Sequence, residues 1–117
     1  MGSITDDEGT DVTTGHSSES EAFRRFVDEI KERYHPQRLL LFGSRARGEA
    51  GPSSDYDLLI VSRDFEGTNL TDRATDIYRR WPLWAGLDCL CLTPSEFDRS
   101  RQRISIVREV EREGVPL

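Results

Sequence analysis

The sequence predicts an α/β domain of the α+β kind, with a small β-sheet and flanking helices. Three observations predict it. Three short apolar runs, Arg38–Phe42, Tyr56–Val61 and Leu87–Leu92, are bounded by Gly, Pro or polar residues as buried strands are. Around them, apolar residues recur at helical spacing. The chain has 117 residues, 35% hydrophobic and 32% charged, which is one domain's worth.

The elements follow in chain order. Residues 1–17 are Asp, Glu, Gly, Ser and Thr-rich without helical or strand period and read as a disordered acidic tail, leaving 18–117 as the domain. Ser18 and Glu21 form a capping-box pattern at a helix start. Phe23, Phe26, Val27, Ile30 and Tyr34 continue it as an apolar stripe that Pro36 stops. The run Arg38–Phe42 ends at Gly43, and residues 43–54, rich in Gly and Ser, have room for a short helix at most. After the second strand comes a helix from Leu70 to Arg80, with Leu70, Ala74, Ile77 and Tyr78 expected inward and Trp81-Pro82 closing it. Beyond the third strand, Thr93, Pro94 and Glu96 occupy N-cap, N1 and N3 of a last helix. That helix carries Ile104, Val107 and Val110 and ends at Gly114, and Val115–Leu117 can begin a fourth strand.

Charge and composition exclude several functions. The formal net charge is −6, with five acids and no Lys or Arg in the first 20 residues. Residues 21–117 hold 17 acids and 16 bases, so no bulk positive field draws nucleic acid, and direct nucleic-acid binding is not expected. No apolar run approaches a membrane span, and the acidic N-terminus is unlike a secretory signal, so a cytoplasmic location is expected. Asp6 stands where a myristoylation signal needs Ser or Thr. Cys89 and Cys91, two apart on a strand, read as buried thiols without the second pair a metal site requires. Basic residues are Arg at 15 of 16 positions, Lys31 being the exception.

One stretch carries chemistry: Gly43-Ser44-Arg45-Ala46-Arg47-Gly48, then Ser54-Asp55-Tyr56-Asp57 leading into a strand. Asp55 and Asp57, two apart, project from one face, and like charges at the edge of a core call for a cation. Mg²⁺ is the natural one, because it binds through one or two carboxylates plus substrate phosphates. Asp88, set in the apolar run LDCLCL, joins them if its strand is a neighbour. Gly43-Ser44 lets backbone approach a phosphate, with Arg45 and Arg47 as partners for phosphate oxygens. The loop is neither a P-loop nor an EF-hand. A phosphate anchor beside a carboxylate metal site is equipment for phosphoryl or nucleotidyl transfer.

Gly43-Ser44, ten residues, then Asp55-Tyr56-Asp57 resembles the GS-x10-DxD signature of minimal nucleotidyltransferases in the DNA polymerase β-like superfamily. The resemblance implies a nucleotidyltransferase fold with a mixed β-sheet, two Mg²⁺ ions and a nucleoside triphosphate donor, ATP. Asp55 and Asp57 would bind metal, Asp88 would be the third acid, as metal ligand or base, and Ser44 would contact phosphates. Stand-alone domains of this kind resemble antitoxins whose partner is a HEPN-domain ribonuclease toxin, and the implied activity is transfer of AMP from ATP to a toxin tyrosine. Two other readings share the site: an aminoglycoside-type small-molecule nucleotidyltransferase, and a non-catalytic steric antitoxin. Trp81, Leu83 and Trp84, followed by Arg99, Arg101, Arg103 and Arg108 with no acid across 99–108, mark either a core edge or a partner interface.

Overall fold

The computed structural model describes residues 15–51, 54–103 and 105–117. Its elements are α1 (Gly15–Tyr34), β1 (Arg38–Phe42), α2 (Gly43–Arg47), β2 (Tyr56–Val61), a 3-10 turn (Arg63–Phe65), α3 (Leu70–Arg80), β3 (Leu87–Leu92), α4 (Pro94–Arg103), α5 (Ser105–Glu113) and β4 (Val115–Pro116). The sheet runs β3-β2-β1-β4 and is mixed. β1 is antiparallel to both β2 and β4, whereas β2 and β3, joined through α3, are parallel. A helical crossover is what a parallel pair needs.

Helices cover both faces of the sheet, which is why β2 reads as an unbroken apolar run after Asp57. Leu58 and Ile60 pack with Phe26 and Ile30 of α1 and Ile77 of α3. Leu59 and Val61 point the other way, into a second cluster with Phe97 of α4 and Val107 and Val110 of α5. The same alternation sends Tyr56 to the α1–α3 side and Asp57 to the α4–α5 side. Tyr56 is buried there, stacked on Phe23 at 4.9 Å between ring centres and edge-on to Trp81 at 5.1 Å.

The capping box at the start of α4 forms in both directions. Thr93 N donates to Glu96 Oε1 at 2.8 Å, and Glu96 N donates to Thr93 Oγ1 at 3.2 Å. The fourth strand is real but short, pairing Val115 with Leu41 and Pro116 with Leu40. Cys91 is buried and Cys89 half-buried, both as free thiols.

Three expectations need correction. The first helix begins at Gly15 rather than Ser18, so residues 15–17 are helical; residues 1–14 of the expected tail lie outside the described residues. The hydroxyl of Tyr56 donates to Glu19 Oε2 at 2.9 Å, which ties the early turns to the sheet. In α3, Leu70 and Tyr78 are exposed, and the inward positions are Arg73 and Ile77. Arg73 displaces them because its guanidinium is satisfied where it is buried, by Glu96 at 2.7 Å and the carbonyls of Thr68 and Cys91. The expected last helix is two helices, α4 and α5, with Ile104 outside the described residues. The bend lets Arg101 reach Glu111 at 3.3 Å, two residues that would lie about 15 Å apart along one straight helix.

Candidate active site

Asp55 directly precedes β2, Asp57 is the second residue of β2, and Asp88 is the second residue of β3. The parallel register pairs Asp57 with Asp88 directly, just as it pairs Tyr56 with Leu87 and Leu58 with Cys89. Neighbours in register share a face, so Asp57 and Asp88 lie side by side, with Asp55 two residues earlier on that face. Asp57 is half-buried, and Asp55 and Asp88 are exposed. The three acids form a row at the end of the sheet, on the side that α4 and α5 cover further along.

Two glycines hug this row. Gly43 has φ +75°, the left-handed region, and a Cβ there would run into the Asp57 carboxylate. Gly86, whose carbonyl accepts from Tyr56 N at 2.9 Å, would meet the Asp55 carboxylate in the same way. Only an α-carbon without a Cβ lets the backbone sit this close to the acids. Gly43 also opens α2, so Ser44 is the second residue of that short helix.

The electrostatics follow from the crowding. Burial pushes the Asp57 carboxyl up, and the charges of Asp88 and then Asp55 push it further, while Arg47 opposes them. Arg47 is thus the arginine on the side of the acids; its Nε donates to Glu49 Oε1 at 2.9 Å. Arg45 is turned away from them. Its guanidinium lies 3.9 Å from the centre of the Tyr56 ring, and its Nε donates to the Ser54 carbonyl at 2.9 Å. A cation–π contact and a carbonyl draw it to the opposite face.

The donor set fits a hard divalent cation. Three carboxylates, where burial first and mutual repulsion next raise Asp57, are short of positive charge, and oxygen is the ligand Mg²⁺ takes. They line up rather than converge: among the described residues, no three Asp, Glu, His or Cys side chains stand close enough together to hold an ion. Two protein carboxylates are the usual protein share of a Mg²⁺ site, substrate phosphates providing the remainder. Asp57 with Asp88 or Asp55 meets that requirement.

Residues 23–117 match the family model described as "Nucleotidyltransferase domain", a span that contains the whole sheet and the acid row. The chain belongs to this nucleotidyltransferase family. Within 46 residues it is 41% identical to a Methanocaldococcus jannaschii protein named "Putative protein adenylyltransferase". That match takes in 38% of this chain and 46% of the relative, so the chain spans about half the length of the curated relative it matches. Among solved structures, a "putative nucleotidyltransferase" from Sulfolobus solfataricus is similar in fold, with TM-score 0.54, 24% identity, and coverage of 90% of this chain and 89% of that one. BolA1 from Arabidopsis thaliana matches at TM-score 0.53 and 24% identity over 64% of this chain and 94% of its own. Both likenesses concern the fold alone. The family's mixed sheet with flanking helices is the fold observed here.

The candidate site also contains residues the sequence did not single out. Gly86 is one, and its signal is visible only afterwards, as the glycine that precedes the third strand. Glu109 and Glu113 of α5 are others: with Phe42, Ala46, Arg47 and Val110 they line an open cleft of about 250 Å³ beside Gly43. No spacing rule connects α5 to the acid row. Of the two tryptophans, Trp81 is a core residue, 4.9 Å from Phe26 and donating Nε1–H to the Ala85 carbonyl at 2.7 Å, whereas Trp84 is 78% exposed. Among the described residues, no helix is long and apolar enough to cross a membrane.

Proposed function

We propose that this chain is a Mg²⁺-dependent nucleotidyltransferase that moves AMP from ATP to a tyrosine hydroxyl of a partner HEPN ribonuclease toxin, acting as that toxin's antitoxin in the cytoplasm. The observation that carries the reading is the register pair Asp57–Asp88 with Asp55 on the same face, set against Gly43-Ser44. The adenylyl specificity and the protein acceptor draw on the name of the Methanocaldococcus relative.

The chain's own residues divide the work. Asp57 and Asp55 hold the cation, and the raised Asp57 carboxyl gains most from its charge. When bound, Mg²⁺ supplies charge neutralisation at the α-phosphate and lowers the pKa of the acceptor hydroxyl. The backbone of Gly43 admits the triphosphate without a side chain in the way, and Ser44 and Arg47 meet its oxygens. Asp88, exposed at the end of the row, takes the acceptor's hydroxyl proton. The acceptor oxygen then bonds to the α-phosphorus as the bond to the pyrophosphate oxygen breaks, and pyrophosphate leaves in line.

Co-expression with the protein encoded beside this chain, followed by intact-mass measurement, tests the reading. The partner gains the mass of one or more AMP groups with the wild type and none with Asp57→Ala. A complex without added mass replaces it with the steric antitoxin. Absence of any complex replaces it with the small-molecule modifier.

A further inference from the structure

Four of the five large apolar side chains exposed among the described residues, Leu70, Tyr78, Trp84 and Leu90, belong to α3, β3 or their connection. Leu70 is 59% exposed and Leu90 37%, although Leu87, Cys91 and Leu92 of β3 are buried. Leu70 also borders an open groove of about 320 Å³, lined by Leu70, Leu92, Glu96, Arg99, Ser100 and Arg103. Beyond Leu92, strand alternation puts Leu90 and Asp88 on the same side of β3, so apolar side chains lead along the strand from the groove to the acid row. At a rise of roughly 3.3 Å per residue, Leu92 and Asp88 are about 13 Å apart, the reach of four extended residues.

The rim of the groove is positive. Glu96 is already committed to Arg73 and to the Thr93 amide, and Arg101 on the same helix is held by Asp98 and Glu111. Arg99 and Arg103 make no ion pair among the described residues. An apolar floor with two uncommitted arginines suits a chain that is both apolar and acidic. A phosphate backbone would suit the arginines but would then run into Asp88 and Asp57, where like charge repels it.

We propose that this groove is the track on which the acceptor protein docks. An extended acidic and apolar stretch of the partner lies over Leu70, Leu92 and Leu90 with its carboxylates on Arg99 and Arg103, and a hydroxyl residue about four positions away reaches Asp88. This rests on the acid row being the transfer site, and it names the recognition element of that site's acceptor.

The test is binding, not turnover. Fluorescence anisotropy without nucleotide compares two labelled peptides, each with Tyr four residues from a short stretch of alternating Leu and Glu, or Leu and Lys. The wild type binds the Glu peptide about tenfold tighter or more, and the preference inverts on Arg99→Glu/Arg103→Glu. Leu70→Ser, at an exposed position that leaves the melting temperature unchanged, weakens both peptides. Equal binding of the two peptides, or a double variant that binds as the wild type does, overturns the proposal. A wild-type dimer that the double variant dissociates assigns the groove to a second copy and overturns it too, as does single-stranded RNA that binds there more tightly than the Glu peptide. The two proposals fail separately. Inverted peptide preference without AMP transfer removes the proposed function and keeps the track, whereas undiminished transfer to the partner by Arg99→Glu/Arg103→Glu does the reverse.

Discussion

Asp57 of β2 stands directly beside Asp88 of β3 in the parallel ladder, so the protein holds two like charges in register at the end of its sheet. Side by side they oppose folding, and the carboxyl of Asp57 is raised above its usual value by burial first and by Asp88 and Asp55 next. An acid raised in the folded state costs stability once it ionises, and the cost disappears below the pKa it has when unfolded. In chelator, stability therefore rises as pH falls through the raised Asp57 value.

Asp57→Asn removes that cost. In chelator at neutral pH, the variant should be more stable than the wild type by roughly 0.5–1 kcal/mol, the scale of like charges directly opposite on a sheet. Thermal melts measure it. Adding Mg²⁺ and ATP should reverse the order, because only the wild type gains from binding.

Asp88→Asn separates proton transfer from binding. It is nearly the same size and sits on an exposed position, so the fold should be unaffected. Nucleotide affinity should stay within a few fold, while turnover falls by about 10²-fold or more, the usual worth of a positioned base. Titration calorimetry and transfer kinetics on the same preparation read the two effects separately.

Gly43→Ala strains the chain and displaces the acid together. At φ +75° an alanine costs roughly 1–2 kcal/mol, and its Cβ must push the Asp57 carboxylate aside. Gly48→Ala is the control: its φ is +74°, yet nothing lies within 4 Å of the added atom. Both variants should melt lower, Gly43→Ala by at least as much as Gly48→Ala, and Gly43→Ala alone should lose transfer activity out of proportion to its stability.

Glu96→Gln addresses the pair that sets α4 against α3. Arg73, with its side chain only 6% exposed, holds the Glu96 carboxyl down to about 2 from 4.5, helped by the Thr93 amide. A depressed carboxyl stabilises the fold fully above its unfolded value, and that stability is lost as pH falls through the folded one. Wild-type stability should therefore decline between about pH 4.5 and pH 2, and Glu96→Gln should flatten that part of the profile. At neutral pH the variant should be weaker by roughly 1–3 kcal/mol, since a buried guanidinium loses its charged partner. Urea midpoints across this pH range check both statements.

Much of the candidate site's geometry was legible because short-range rules govern it. The two-residue spacing of Asp55 and Asp57 fixes their shared face whatever the strand pairs with, and Thr93-Pro94-Ser95-Glu96 caps a helix by contacts within one turn. What the sequence left open depended on partners far along the chain. Arg73 reads as a surface residue until Glu96 and the Cys91 carbonyl are known to meet it, and its burial moves Leu70 and Tyr78 outward. Arg45 and Arg47 are equivalent in sequence, and only Tyr56 on one face and Asp57 on the other tell them apart. The direction of β3 is likewise set by the α3 crossover, and without it Asp88 cannot be placed beside Asp57.

The central claim is that the acid row at the end of β2 and β3 transfers a nucleotide. The most direct measurement is incubation of the purified partner complex with α-labelled ATP and Mg²⁺, comparing wild type with Asp57→Asn. Label should appear on the partner with the wild type, vanish when Mg²⁺ is chelated, and be absent with Asp57→Asn even though that variant folds at least as well. Equal labelling by Asp57→Asn, or no labelling by a wild-type complex that binds Mg²⁺ and ATP, would contradict it.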